Sequence, residues 1–344
     1  MALKGILQNT GVLIRIVYAY SVMGAKVYIL SRNRGRKLIE EIYQQMDPSL
    51  GLLPYERIKK IRLYVALCLI AFQLKSLLRG SKLNPTEKRR AVYLGAISAL
   101  VDDIADDLKL NSKQIRERIA ALQSEDPIEL HVASILYQKL VNTMESSEQV
   151  DALLEQVSIA QDASLKQESK QKLSEEELKK ITFEKGGYTV QLTASFLDIK
   201  SSQEENEAFM AFGYNVQLID DMFDLWEDRQ SNRQTLYTNS ADMCVNAEHF
   251  RKNIHQVCTK IMQIKSNPKN LRHFLLFIVS FISRGMVCTD QLLALQEKTG
   301  LPFKIDHFPR KDLICDMEKP RNILRSIHYS IKLYNDYSRI TPGQ

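Results

Sequence analysis

Gly213-Tyr214-Asn215-Val216-Gln217-Leu218-Ile219-Asp220-Asp221-Met222-Phe223-Asp224-Leu225-Trp226-Glu227-Asp228 is the stretch on which the reading of this chain turns. Asp220, Asp224 and Asp228 recur at every fourth position, so on an α-helix they climb one face, with Gln217, Asp221 and Glu227 beside them. Met222, Phe223 and Trp226 fall on the opposite arc. The pattern predicts a helix that is buried on one side and acidic on the other.

Upstream, Leu100-Val101-Asp102-Asp103-Ile104-Ala105-Asp106-Asp107-Leu108 repeats the theme. At roughly 100° per residue its acids fall within an arc of about 140°. Like charges so close destabilise an isolated helix, and a solvated face would intersperse Lys or Arg among them. None is interspersed here. Hard divalent cations shared by carboxylates one turn apart would relieve the repulsion. The stretch is no EF-hand, which needs alternating ligands and a central Gly. The six histidines do not form the Glu-x-x-His pairs of a di-iron bundle.

The surrounding sequence has the same helical character. Only 13 Gly and 9 Pro interrupt 344 residues that are 44% hydrophobic, enough to build a large core. Apolar periodicity predicts helices over 36–47, 55–79, 86–109, 112–123, 127–144, 147–163, 174–199, 203–229, 242–265, 269–297 and 310–336, an all-α protein. Asn84-Pro85-Thr86-Glu87 reads as a helix start, and Ser174 with Glu177 has capping-box spacing. The polar run 161–177 reads as an exposed, mobile connection. The apolar runs 61–78 and 275–286 read as core helices: Arg62, Gln73 and Lys75 interrupt the first, and the second is too short to span a bilayer.

The net charge of +6 is spread along the chain, without the basic arm that grips nucleic acid. The five cysteines are scattered without metal-ligand spacing, which points to reduced thiols. With no signal-peptide pattern at the N-terminus, a cytoplasmic protein in transient contact with the membrane surface is expected.

Among class I isoprenoid synthases, Gly213, Gln217, Asp220, Asp221 and Asp224 resemble the GxxxQxxDDxxD motif of the prenyl synthases, and Asp102-Asp103-Ile104-Ala105-Asp106 resembles the family's first Asp-rich motif. The likeness is strongest over 85–240. It implies a single-domain helical bundle around a central cavity, here residues 51–344, preceded by a peripheral helical segment 1–50, and a possible homodimer. It also implies that Asp102, Asp103, Asp106, Asp107, Asp220, Asp221, Asp224 and Asp228 hold Mg²⁺, about three ions, against an allylic prenyl diphosphate.

In the terms of this resemblance Lys185, of Phe183-Glu184-Lys185-Gly186-Gly187-Tyr188, clamps the diphosphate, and the glycine pair breaks its helix. Gln217, Arg229, Arg233, Arg325 and Tyr329 are further diphosphate-binding candidates. Gly95, Ser98 and Ala99, all small, would leave room beneath the first acids for a prenyl chain, with Phe209, Gly213 and Val216 opposite. The Gly-Lys-x-x-Arg-Pro stretch and the Arg-Arg pair that bind isopentenyl diphosphate in elongating synthases are absent. The expected activity is therefore a terpene synthase, a lyase that ionises one allylic diphosphate and lets the cation cyclise, lose a proton or take up water. Chain elongation, head-to-head coupling and a non-catalytic, prenyl-diphosphate-binding regulatory subunit are the alternatives.

Overall fold

The computed structural model describes residues 11–14, 16, 17, 29, 33, 37–45, 51–144, 148–198 and 200–339, except the side chains of Asp106 and Gln149. Among these residues every regular element is helical, as composition and periodicity predict. The chain divides into two compact units. One comprises Ala19–Asp162 with Leu192–Lys200, the other Met1–Tyr18, Ala163–Gln191 and Ser201–Gln344. Of the described residues in the 1–50 segment, 11–14, 16, 17, 29, 33 and 37–43 are helical, and Leu38, Ile39 and Ile42 enter the core of the first unit.

The first unit holds α1 (Tyr55–Leu78), α2 (Pro85–Leu108), α3 (Ser112–Ala120), α4 (Ile128–Val141) and nearly all of α5 (Glu148–Ser164). Asn84 starts α2 as predicted: its side chain accepts from the Glu87 amide at 2.8 Å, and Glu87 accepts from the Asn84 amide at 2.9 Å. Helix α2 packs against both α1 and α4, burying Ala91, Ala96, Ala99, Leu100 and Ile104 against Ile61, Val65, Leu130 and Ala133. A Cβ on Gly95 would fall 2.6 Å from the Val65 Cα, so only a glycine lets α1 come this close.

Two cations with buried stems anchor the 192–200 segment in this unit. Lys75 donates to the Ala194 carbonyl at 2.6 Å, and Arg90 donates to the Phe196 and Thr143 carbonyls and pairs with Asp198.

The second unit contains most of α6 (Glu175–Ser195), followed by α7 (Gln203–Phe223), α8 (Leu225–Gln230), α9 (Met243–Gln263), α10 (Pro268–Thr299), α11 (Arg310–Leu313) and α12 (Pro320–Tyr337). Helix α10 is its centre: it packs against α7, α9 and α12, with Leu275, Val279, Ile282 and Val287 buried. By length and composition α1 and α10 could each cross a membrane, but most of α10's apolar window is buried in protein, whereas much of α1's is exposed, including Leu63 and Leu67.

Three expectations change. The helix expected over 203–229 bends at Asp224, the cap between α7 and α8, although Asp228 N still bonds Asp224 O at 2.8 Å and the acids keep their alignment. The helix expected from 310 starts with one short turn, and its long part begins at Pro320, where proline suits the first turn. The 161–177 connection is tied down: Gln167 is buried, its side chain donates to the Gln234 carbonyl at 2.8 Å, and its own carbonyl accepts from the Gln234 amide at 2.8 Å.

Candidate functional site

The acidic face of the second unit begins with the crossing of α6 and α7. Helix α6 runs unbroken through Gly186-Gly187, so the helix break expected there does not occur. The glycines instead admit α7. A Cβ on Gly186 would meet the Gly213 carbonyl oxygen at 2.2 Å, and Gly187 faces the Met210 side chain. Phe183 and Tyr214 close the contact edge to face, with ring centroids 5.5 Å apart.

This crossing brings Lys185, the residue just before the glycines, into electrostatic range of Asp221, Asp224 and Asp228. No carboxylate among the described residues lies within ion-pair distance of its ammonium. Gln217, one turn before the acids, donates to Asp220 Oδ2 at 3.0 Å and Asp221 Oδ1 at 3.1 Å. Asp221 is 5% exposed, and its Oδ2 is buried with no hydrogen-bond partner among the described residues. Burial pushes the Asp221 carboxyl up to about 7, with Asp220 and Asp228 adding to the rise against the Gln217 hydrogen bond. Burial likewise raises Asp224 and Asp228 to about 6, helped by neighbouring acids and opposed by Arg233 and Lys185. These carboxylates repel one another in a partly dry setting, the condition under which an added cation gains most.

Of the other diphosphate-binding candidates, Arg229, Arg325 and Tyr329 are engaged elsewhere. Arg229 grips Asp306 with two hydrogen bonds, at 2.8 and 2.5 Å, and so anchors the 305–307 turn. Arg233 pairs with Glu168 at 2.6 Å and lies 3.8 Å from Asp228, within reach of the acids. Arg325 and Tyr329, on α12, both bind Asp290 of α10 and line a surface depression with Arg321, Leu324 and His328. These two hold α12 to α10, a role for which ion-pair chemistry suffices.

In the first unit the acids of α2 are met by cations that the sequence reading missed. Lys60 Nζ lies 2.6 Å from both Asp102 Oδ2 and Asp103 Oδ1. Arg57 Nη1 lies 2.7 Å from Asp103 Oδ1 and pairs through Nη2 with Asp107. The Tyr64 hydroxyl donates to Asp102 at 3.1 Å. The repulsion that seemed to require metal is thus relieved from α1. The signal was there in outline: Arg57 and Lys60, one turn apart, share one face of a mostly apolar helix. The Asp106 side chain lies outside the described residues.

The residues expected to line a prenyl-chain space have these surroundings. Gly95 is filled by the α1 backbone, Ala99 is fully buried in the core, and Gly213 is filled by Gly186. Phe209 packs edge to face on Phe274 at 6.3 Å. Ser98 and Val216 are half-buried.

Among the described residues, no three His, Cys, Asp or Glu side chains converge to hold a metal ion. The donor set of α7 and α8 nevertheless suits a hard divalent cation, being carboxylate oxygen alone, and Asp221 Oδ2 is a buried oxygen with no hydrogen-bond partner among the described residues.

The chain matches no known family model, no curated protein and no solved structure. The motif residues alone carry the likeness to the isoprenoid synthases.

Proposed function

We propose that this chain is a Mg²⁺-dependent class I isoprenoid diphosphate enzyme, a terpene synthase that ionises one allylic prenyl diphosphate and releases diphosphate. The observation that supports the reading is the Asp221 cluster: carboxylates along α7 and α8, a buried oxygen with no hydrogen-bond partner among the described residues, and Lys185 within electrostatic range. Asp220, Asp221, Asp224 and Asp228 would hold Mg²⁺, which when bound supplies neutralisation of the charge developing on the leaving diphosphate.

The chain's own groups have separate tasks in this reading. Lys185 attracts the diphosphate oxygens as a point charge. Gln217 holds Asp220 and Asp221 in one orientation through its two N–H bonds. Arg233, close to Asp228, adds positive charge at the far end of the acidic face.

A second reading, chain elongation with isopentenyl diphosphate, is favoured by Arg57 and Lys60. A basic pair missing from the expected motif positions occurs in space beside the first acids. Incubating the protein with Mg²⁺ and geranyl, farnesyl, geranylgeranyl or geranylfarnesyl diphosphate, each with and without isopentenyl diphosphate, separates the two. Hydrocarbons or alcohols from one allylic substrate alone support the terpene synthase, and longer diphosphates that need isopentenyl diphosphate support elongation. Pyrophosphate with Mg²⁺ should also raise the melting temperature, and no shift would count against any diphosphate site.

A further inference from the structure

Arg57 and Lys60 together pair with Asp102, Asp103 and Asp107 of α2, Arg57 also lies 3.8 Å from Glu129 of α4, and one atom of that cluster is left over. Asp103 is 4% exposed, and its Oδ2 is buried without a hydrogen-bond partner among the described residues, although Oδ1 accepts from both cations. An unmet buried carboxylate oxygen is costly, and the ion pairs leave it unmet. The two cations themselves are 27% and 29% exposed, so an anion from solvent can reach them. The Arg57 guanidinium presents the planar fork that suits phosphate oxygens. The carboxylates suit a hard divalent cation better than an ammonium, because several can share its two charges.

We infer, resting on the diphosphate reading above, that Arg57 and Lys60 are exchangeable counter-cations. In the ligand-free chain they neutralise Asp102, Asp103 and Asp107. When diphosphate arrives, they pass to its oxygens and leave Asp102 and Asp103 to the divalent metal. Metal and diphosphate therefore bind this cluster cooperatively, each raising the affinity of the other by the same factor. The arrangement also keeps the acidic helix folded in the absence of metal.

The test counts Mn²⁺ bound to the full chain by electron paramagnetic resonance, with and without inorganic pyrophosphate, in the wild type, Lys60→Met, Lys60→Gln and Arg57→Met. Circular dichroism confirms the fold of each variant, and Lys60→Gln serves if the methionine does not fold. The wild type should bind Mn²⁺ about tenfold more tightly once pyrophosphate is present. Lys60→Met should bind it about tenfold more tightly than the wild type without pyrophosphate, because a competing charge at close range is gone. Adding Asp103→Asn should abolish that gain, which assigns it to this cluster and not to the acids of α7.

If the folded Lys60 and Arg57 variants bind Mn²⁺ no more tightly than the wild type, while the wild type keeps its pyrophosphate-dependent binding, the inference alone is overturned. If the wild type binds no Mn²⁺ with pyrophosphate, the diphosphate reading and the exchange built on it are both overturned.

Discussion

A methyl group on Gly213 would lie 2.2 Å from the carbonyl oxygen of Gly186, and one on Gly186 would lie 2.2 Å from the carbonyl oxygen of Gly213. The two helices meet backbone to backbone, and neither partner is a flexible side chain that could step aside. Gly213→Ala should therefore force α6 and α7 apart, costing about 1–3 kcal/mol. Because Lys185 immediately precedes Gly186, the same shift carries its ammonium away from the acids. Turnover should fall by about a hundredfold, as a misplacement of about 1 Å can do. Thermal denaturation and product assays check the two effects separately, and an alanine variant with wild-type stability would contradict the packing.

The acids of α7 and α8 make the metal-free protein sensitive to pH. Asp221, at about 7, and Asp224 and Asp228, at about 6, stand above the ordinary carboxylate value of 3.8. A raised carboxyl means that the folded chain binds more protons than the unfolded one between those limits. Stability should consequently be highest below about pH 4 as far as these groups are concerned, and should decline as pH rises towards 7. Asp221→Asn should remove much of the decline, gaining roughly 1–3 kcal/mol at pH 8 and nothing near pH 4. Chemical denaturation of the metal-free protein at a series of pH values measures it.

Single changes at the candidate site should separate binding from chemistry. Asp220→Ala should abolish product formation while leaving the circular dichroism spectrum unchanged, since Asp220 is exposed and supports no core contact. Asp103→Ala should also abolish turnover, but at a cost in stability, because it strips Lys60 and Arg57 of a buried partner. Lys185→Gln should raise KM for the allylic diphosphate about tenfold or more, in line with the loss of one charged contact. Wild-type activity in both aspartate variants would remove the acids from the mechanism.

Arg90 offers a test of the first unit that is independent of function. It is 7% exposed and donates to two carbonyls and to Asp198, so it ties the 192–200 segment to α2. Arg90→Ala should leave the Thr143 and Phe196 carbonyls without this donor, at a cost of about 1–3 kcal/mol, the exposed Asp198 adding little. A loss below about 1 kcal/mol in urea denaturation would show that the segment is held by its apolar contacts alone.

Helical character, the capped starts at Asn84 and Ser174, and the alignment of Asp220, Asp224 and Asp228 were legible in the chain itself. All depend on spacing between near neighbours, which a helix converts directly into a shared face. Helix-on-helix relations were not legible, because they join residues far apart in sequence. Gly186-Gly187 reads locally as a weak point of a helix, and only the arrival of Gly213 turns it into a crossing. The acids from Asp102 to Asp107 read as a repulsion that only metal could relieve, until Arg57 and Lys60 arrive from the neighbouring helix to neutralise them. Local periodicity determined which faces are acidic and which apolar. Tertiary packing decided which charges meet, since a Coulombic pair depends on distance in space and not on separation along the chain.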